Sequence, residues 1–335
     1  MRALVCHAID DMDSVVLGDL PEPAPGPGEI LIDVAVAGVN FADLLVLKDQ
    51  YQFRSEPPFA PGMEAAGVVV AVGSDVDHVA VGDRVAVVGY SGAFAQRWAV
   101  DATMAVSVPD DIPWGVAASL SIGYGTSYHA LKQRAAIEPG ETILVLGAAG
   151  GVGSSAVELA VAMGARVIAA ASSAEKTAFC RELGAHHVIN YVDEDLRSAV
   201  KELTAGRGVD VVYDPVGGEM SEVAFRLLRW QGRHLVIGFA AGSIPSLPMN
   251  LPLLKGASLV GVFWGAFGSH QPELFRANAE DLFAMVSDGR IAPRITARFP
   301  LADARSALEL VAGRGAMGRV VVEVDTGASV DTTQA

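Results

Sequence analysis

The stretch from Leu144 to Lys176, LVLGAAGGVGSSAVELAVAMGARVIAAASSAEK, constrains the fold more than any other part of the chain. An apolar run leads into a glycine-rich loop, a run of helix formers follows, and a second apolar run ends at Ala171. The loop, Ala148-Ala149-Gly150-Gly151-Val152-Gly153, fits the pattern G-x-G-x-x-G with alanine in the first slot. Gly150 lets backbone approach a pyrophosphate, and Gly153 lets the helix pack against the strand. The phosphates would then meet the positive end of a helix beginning near Val152. A glycine pattern alone is a weak sign. One that follows a strand and opens a helix reads as a dinucleotide site.

The end of the second strand narrows the choice of dinucleotide. An acid there would accept from both hydroxyls of the adenine ribose and repel a 2′-phosphate. This chain has Ser172, Ser173 and Lys176 instead, which donate hydrogen bonds and add positive charge. That corner suits the 2′-phosphate of NADPH. Glu175 lies beside Lys176 on the following helix and should point elsewhere. Ser172 and Ser173 also suit a helix cap, a role compatible with phosphate binding.

Similar units continue downstream. Strands are predicted at TILVLG, ARVIAAA, GVDVVYD, RHLVIGF and ASLVGVFW, and helices at GSSAVELAVAMG, SAEKTAFCRELG and MSEVAFRLLRW. Nearly continuous apolar strands between amphipathic helices argue for a parallel sheet covered on both faces. The first third differs. Short runs such as EILIDVAVAGVN, AAGVVVAVGSDV and GDRVAVVGY sit between Gly/Pro turns and read as an antiparallel β domain. The predicted division is residues 1–120 with 266–325 for the β domain, whose last strand follows a helix near ADARSALELVAG, and 121–265 for the dinucleotide domain. Residues 326–335 read as a disordered tail.

With 51% hydrophobic residues in 335, the chain can bury a large core. Its 24 Lys and Arg against 39 Asp and Glu give a net charge of −15, which argues against nucleic acid or an anionic membrane as partner. The two cysteines, Cys6 and Cys180, make no disulfide framework. No secretory leader or membrane span is read, and the expected location is the cytoplasm.

The segments AGVNFADLL, PGMEAAGVVVAVG, VGDRVAVV, GAAGGVG, ELGAHHVINY, GVDVVYDPVGG and FPLADARSALELVAGRGAMGRVVVEV resemble the zinc-free quinone oxidoreductase branch of the medium-chain dehydrogenase/reductases. The resemblance runs from Met1 to about Val324. It implies an α/β protein, a GroES-like antiparallel β domain plus a Rossmann doubly wound domain, with the active site in the cleft between them. It further implies NADPH as cofactor and a homodimer joined through the Rossmann edge strand ASLVGVFWG. By the same resemblance Ser172, Lys176 and Tyr191 hold the adenosine phosphate end, and Arg314 reaches the same 2′-phosphate. Thr126 lies near the cofactor, and Gly238, Phe239, Phe263 and Trp264 flank the nicotinamide. Asn40 and Asp43 form a polar pair beside it, although both also suit the start of a helix. Tyr51 can hydrogen-bond an acceptor oxygen or supply a proton.

Zinc-using relatives place a cysteine and a histidine where this chain has Asn40 and Met63, and no C-x-x-C cluster is present. Two scattered cysteines cannot build a thiolate site. His186 and His187 are adjacent at a strand start, so they face opposite ways and make no metal pair. The expected activity is NADPH-dependent reduction of quinones or other conjugated carbonyl compounds, a small-molecule substrate class. The alternatives are an enoyl-thioester reductase and a non-catalytic NADPH-binding protein of the crystallin or sensor kind.

Overall fold

The computed structural model describes Met1–Val324. The predicted tail at 326–335 lies outside the described residues. The chain divides into two units, Met1–Ile122 together with the chain from Phe267, and Gly123–Ala266.

The first unit is a seven-stranded sheet with a separate two-stranded ribbon, β1 (Arg2–Cys6) and β2 (Val15–Asp19). The long β3 (Glu29–Val39) lies at its centre. On one side it pairs antiparallel with β4 (Glu64–Val72), followed by β5 (Arg84–Val88) and β7 (Ala105–Ser107). It also pairs with β6 (Arg97–Asp101). On the other side it meets β15 (Arg319–Glu323), which pairs with β14 (Ile295–Pro300). The chain therefore returns from its far end to complete the sheet begun near its start. The β14–β15 pair is parallel, which corrects the reading of a wholly antiparallel domain. The Ala304–Ala312 helix between these strands is the reason, since a parallel pair needs a crossover.

The second unit is a six-stranded, all-parallel sheet in the order β10-β9-β8-β11-β12-β13. Its strands are β8 (Thr142–Val145), β9 (Arg166–Ala171), β10 (His187–Asn190), β11 (Val209–Asp214), β12 (Leu228–Val236) and β13 (Ser258–Gly261). The order is that of the Rossmann fold, and it reverses direction between β8 and β11. Ligands of such sheets bind outside the carboxyl ends of the strands at that switch point. The interiors of β8, β9 and β11 are buried, as strands covered on both faces require. The helix predicted over MSEVAFRLLRW stops at Arg226, and Leu228–Trp230 begins β12 instead.

The helical run after Pro113 is α-helical at Trp114–Ser119, widens to a π-helix at Leu120–Tyr124, and widens again at Ala130–Arg134. Widened turns of this kind concentrate at functional sites. Among the described residues no helix is long and apolar enough to cross a membrane.

Candidate active site

In the second unit the glycine loop joins β8 to the Gly151–Ala162 helix. Gly150 is the residue before the first helical turn, so the free amides of that turn open onto the loop. A Cβ at Gly153 would run into the Gly147 carbonyl, so only glycine permits this approach of helix to loop. The left-handed backbone belongs to Gly147 (φ 55°), one residue before the slot that sequence matching filled with Ala148. Beneath the helix start, Ser127 Oγ donates to the Val152 carbonyl at 3.0 Å and lies 2.8 Å from Tyr213 Oη. Burial pushes the Tyr213 hydroxyl well above its ordinary range and leaves it protonated.

At the end of β9, Ser173 caps the Ala174–Glu182 helix by accepting from the Lys176 amide at 3.2 Å. Lys176 Nζ lies 3.5 Å from Ser172 Oγ, so the structure brings these two expected phosphate-binding groups together. Tyr191 follows β10, with its amide on the Ala171 carbonyl at 3.1 Å and its ring half-buried. Of the residues expected near the nicotinamide, Thr126 is buried, and Trp264 is buried against Gly125. Phe239 and Phe263 are exposed, and Gly238 follows β12 with its amide directed at the Asp214 carbonyl. Arg314 belongs to the first unit, on the turn after the Ala304–Ala312 helix, in a left-handed conformation (φ 56°).

In the first unit, strand register assembles the polar pair. Gly38 on β3 faces Glu64 on β4, and Val39 faces Val320 on β15. Asn40 therefore emerges between Glu64 and Arg319. Its Nδ2 donates to Glu64 Oε1 at 2.7 Å, and its Oδ1 accepts from Arg319 Nη2 at 3.2 Å. Arg319 also pairs directly with Glu64 Oε1, and the Ile122 amide donates to Glu64 Oε2 at 2.6 Å. All of these side chains are buried. Burial pushes the Glu64 carboxyl upward against the pull of Arg319, Asn40 and Ile122.

Asp43 stands in the first turn of the Phe41–Leu47 helix and accepts the Asn40 amide on Oδ2 at 2.7 Å. Its Oδ1 has no hydrogen-bond partner among the described residues. Burial first, then the nearby Glu64, raises the Asp43 carboxyl to about 8, although the Asn40 and Met63 amides and Arg319 pull it down. Asp43 thus carries a proton near neutral pH. Tyr51 is partly buried, and burial raises its hydroxyl, with smaller contributions from Asp43 and Tyr90. Its ring neighbours Phe53 at 6.2 Å, which stacks on Tyr90 at 3.9 Å.

Glu64, Arg319, Phe53 and Tyr90 escaped sequence reasoning. The signal available was a carboxylate and a guanidinium at the heads of the apolar runs EAAGVVVAV and RVVVE. A charge at such a place needs a buried partner.

Zinc does not fit the slots at Asn40 and Met63. An amide held at both ends and a buried thioether are not ligands for a borderline cation that takes thiolate, imidazole or carboxylate. Among the described residues no group of three His, Cys, Asp or Glu is gathered to hold a metal. The two adjacent histidines go to different partners, His186 Nδ1 to the Val167 amide and His187 Nε2 to Arg166.

The family described as alcohol dehydrogenase GroES-like domain matches residues 26–110, and that described as zinc-binding dehydrogenase matches residues 151–284. Quinone oxidoreductase-like protein 2 homolog of Nematostella vectensis is 38% identical over 96% of this chain and 88% of its own length. The Escherichia coli quinone oxidoreductase, solved as a complex with NADPH, superposes with a TM-score of 0.89 at 28% identity, covering 96% of this chain and all of the other. A mycobacterial protein, also solved with NADPH, gives 0.90 at 33% identity over 96% of this chain and all of its own. Two domains matched in order, a relative aligned over 88% of its own length and a shared fold agree: the chain belongs to the quinone oxidoreductase branch of the medium-chain dehydrogenase/reductase superfamily.

Proposed function

We propose that the protein is an NADPH-dependent, zinc-independent reductase of quinones or related conjugated carbonyl compounds. The observation that carries this reading is the corner at the end of β9. Lys176 Nζ and Ser172 Oγ stand 3.5 Å apart where NADH-selective sites carry an acid. The glycine loop and the free amides of the Gly151–Ala162 helix take the pyrophosphate. Phe239, Phe263, Trp264 and Thr126 serve the nicotinamide half, with Tyr191 and Arg314 at the adenosine phosphate end. The nicotinamide, when bound, supplies the hydride.

Asp43 and Asn40 form the polar floor of the reaction site, and the Tyr51 hydroxyl hydrogen-bonds the acceptor oxygen. Tyr51 keeps its proton because its surroundings raise it above the usual phenol range. The protein works in the cytoplasm, where its two free, buried cysteines stay reduced. It does so as a homodimer joined through β13, an edge strand that exposes Leu259 beside exposed Trp230, Leu253 and Leu254. An apolar sheet edge of this kind calls for cover.

Two measurements test this reading. Lys176→Ala should weaken NADPH binding about ten- to hundredfold and leave NADH almost unchanged, since it removes one charge-assisted contact. Equal loss for both cofactors would sink the assignment of the corner. NADPH oxidation should then be followed with quinones and enoyl thioesters side by side, in wild type and Tyr51→Phe. With a quinone, whose product oxygens take protons from solvent, the substitution should cost a hydrogen bond, ~0.5–1.5 kcal/mol. A loss of about 10²–10⁴-fold with an enoyl thioester as the working substrate would instead mark Tyr51 as a general acid and replace the quinone reading.

A further inference from the structure

Beside the switch point of the parallel sheet lies a buried carboxylate, Asp214, the last residue of β11. Its side chain accepts four hydrogen bonds. Oδ1 takes the Val216 and Gly217 amides, each at 2.9 Å. Oδ2 takes Ser221 Oγ at 2.5 Å and His234 Nε2 at 3.1 Å. A carboxylate can only accept, so His234 holds its proton on Nε2. Its Nδ1 is buried with no hydrogen-bond partner among the described residues, and its ring neighbours Phe225 at 5.8 Å. Burial pushes Asp214 upward, and the donors on His234, Ser221 and Gly217 more than reverse this and hold it as an anion.

These contacts reach further than one turn. The Asp214 carbonyl accepts the Ile237 amide at 3.0 Å, at the exit of the neighbouring strand. The turn that Asp214 holds then zips to the loop beginning at Gly238. Pro215 and Val216 carbonyls accept the Ala240 and Ala241 amides at 3.1 and 2.8 Å, and the Gly218 amide donates to the Ser243 carbonyl at 3.1 Å. On its other side, Val216 lies against Gly147 of the glycine loop. In a doubly wound sheet the first mononucleotide half lies over β8 and β9, and the second over the strands beyond the switch, here β11 to β13.

We propose that Asp214 is the positioning residue for the nicotinamide half of the cofactor. Its carboxylate shapes the Pro215–Gly218 turn, and that turn fixes the loop carrying Gly238 and Phe239. Ser221 and His234 keep the carboxylate aimed at the turn amides. The adenosine 2′-phosphate end, at Ser172 and Lys176, lies on the other side of the switch and does not depend on it. This inference rests on the NADPH reading above.

The test separates the two halves of the cofactor without using turnover. Titration calorimetry on the full chain compares NADPH with adenosine 2′,5′-bisphosphate, which carries only the adenosine end. Asp214→Ala should weaken NADPH about ten- to hundredfold and leave the bisphosphate within about threefold of wild type. Asp214→Asn should recover most of the NADPH affinity, because its amide oxygen still accepts from Val216 and Gly217. If Asp214→Ala does not fold, Ser221→Ala carries the same test at a smaller scale. It should cost NADPH about fivefold and the bisphosphate nothing. Equal loss of both ligands in these variants, or no loss of NADPH, overturns the inference while leaving the NADPH reading intact. A wild-type chain that binds neither ligand removes both.

Discussion

Asp43 in the first unit and Asp214 in the second are the same residue type with nearly the same exposure, 1% and 2%. Their charge states differ. Burial raises both carboxyls, because a low dielectric penalises the anion. Asp214 meets four donors, which return it below the ordinary carboxylate range. Asp43 has one firm donor, the Asn40 amide, and shares its surroundings with the Glu64 carboxylate, so it rises to about 8. Depth alone therefore does not separate these two aspartates; the donors brought to each carboxyl do. The first unit holds a carboxyl that carries a proton at neutral pH. The second holds a carboxylate that stays ionised at neutral pH.

The most forceful way to break this contrast is to remove the cation of the first cluster. Arg319→Met should destabilise the protein by about 3–5 kcal/mol, read from urea unfolding at neutral pH, because it strands the buried Glu64 carboxylate. Adding Glu64→Gln should restore much of the loss. A cost below about 1 kcal/mol for the single variant would mean that the Glu64–Arg319 pair contributes little beyond its own desolvation.

Next in size is the pH dependence set by Asp43. Its folded value of about 8 stands above an unfolded value of about 3.9, so between these limits the native state binds a proton that the unfolded state lacks. Its contribution to stability is complete below about pH 4 and is lost as pH rises through 8. The loss is on the order of 3 kcal/mol between pH 5 and pH 7. Asp43→Asn should remove that slope from a series of unfolding curves. A variant with the wild-type slope would place the proton elsewhere.

The smallest effect belongs to Asp214 and has the opposite sign. A depressed folded value gives stability that is present above about pH 4 and lost as pH falls through the folded value. Asp214→Asn should cost about 1.5 kcal/mol near neutral pH, and its unfolding midpoint should converge with that of wild type in acid. A constant gap at every pH would mean that the Asp214 charge plays no part.

What could be read in the sequence follows from how local each feature is. The glycine loop, the serine and lysine corner and the strands of the second unit are written in contiguous residues. Asn40 and Asp43 could be picked out, but not what surrounds them. Glu64 and Arg319 are 255 positions apart, and only the β4-β3-β15 register joins them to Asn40. Asp214, Ser221 and His234 escaped for the same reason. The first two are separated by a turn, and the third arrives from the next strand, where Val212 and His234 are register partners. The overlong helix at MSEVAFRLLRW has a different cause. Its apolar residues suit both periods, and the parallel pairing of β12 with β11 draws Leu228 into the sheet.

The widened turn at Leu120–Tyr124 sets a limit on how this chain can vary in length. A π-turn holds one residue more than the α-helix it interrupts, and that extra residue presents the Ile122 amide to Glu64. Deleting one residue there would let the segment rewind as a regular helix. Each residue turns the backbone by about 100°, so the amide would swing off the carboxylate and leave a buried charge short of a donor. Most helix ends and surface loops tolerate gaining or losing a residue. This stretch should reject such changes almost as strictly as the glycine loop does.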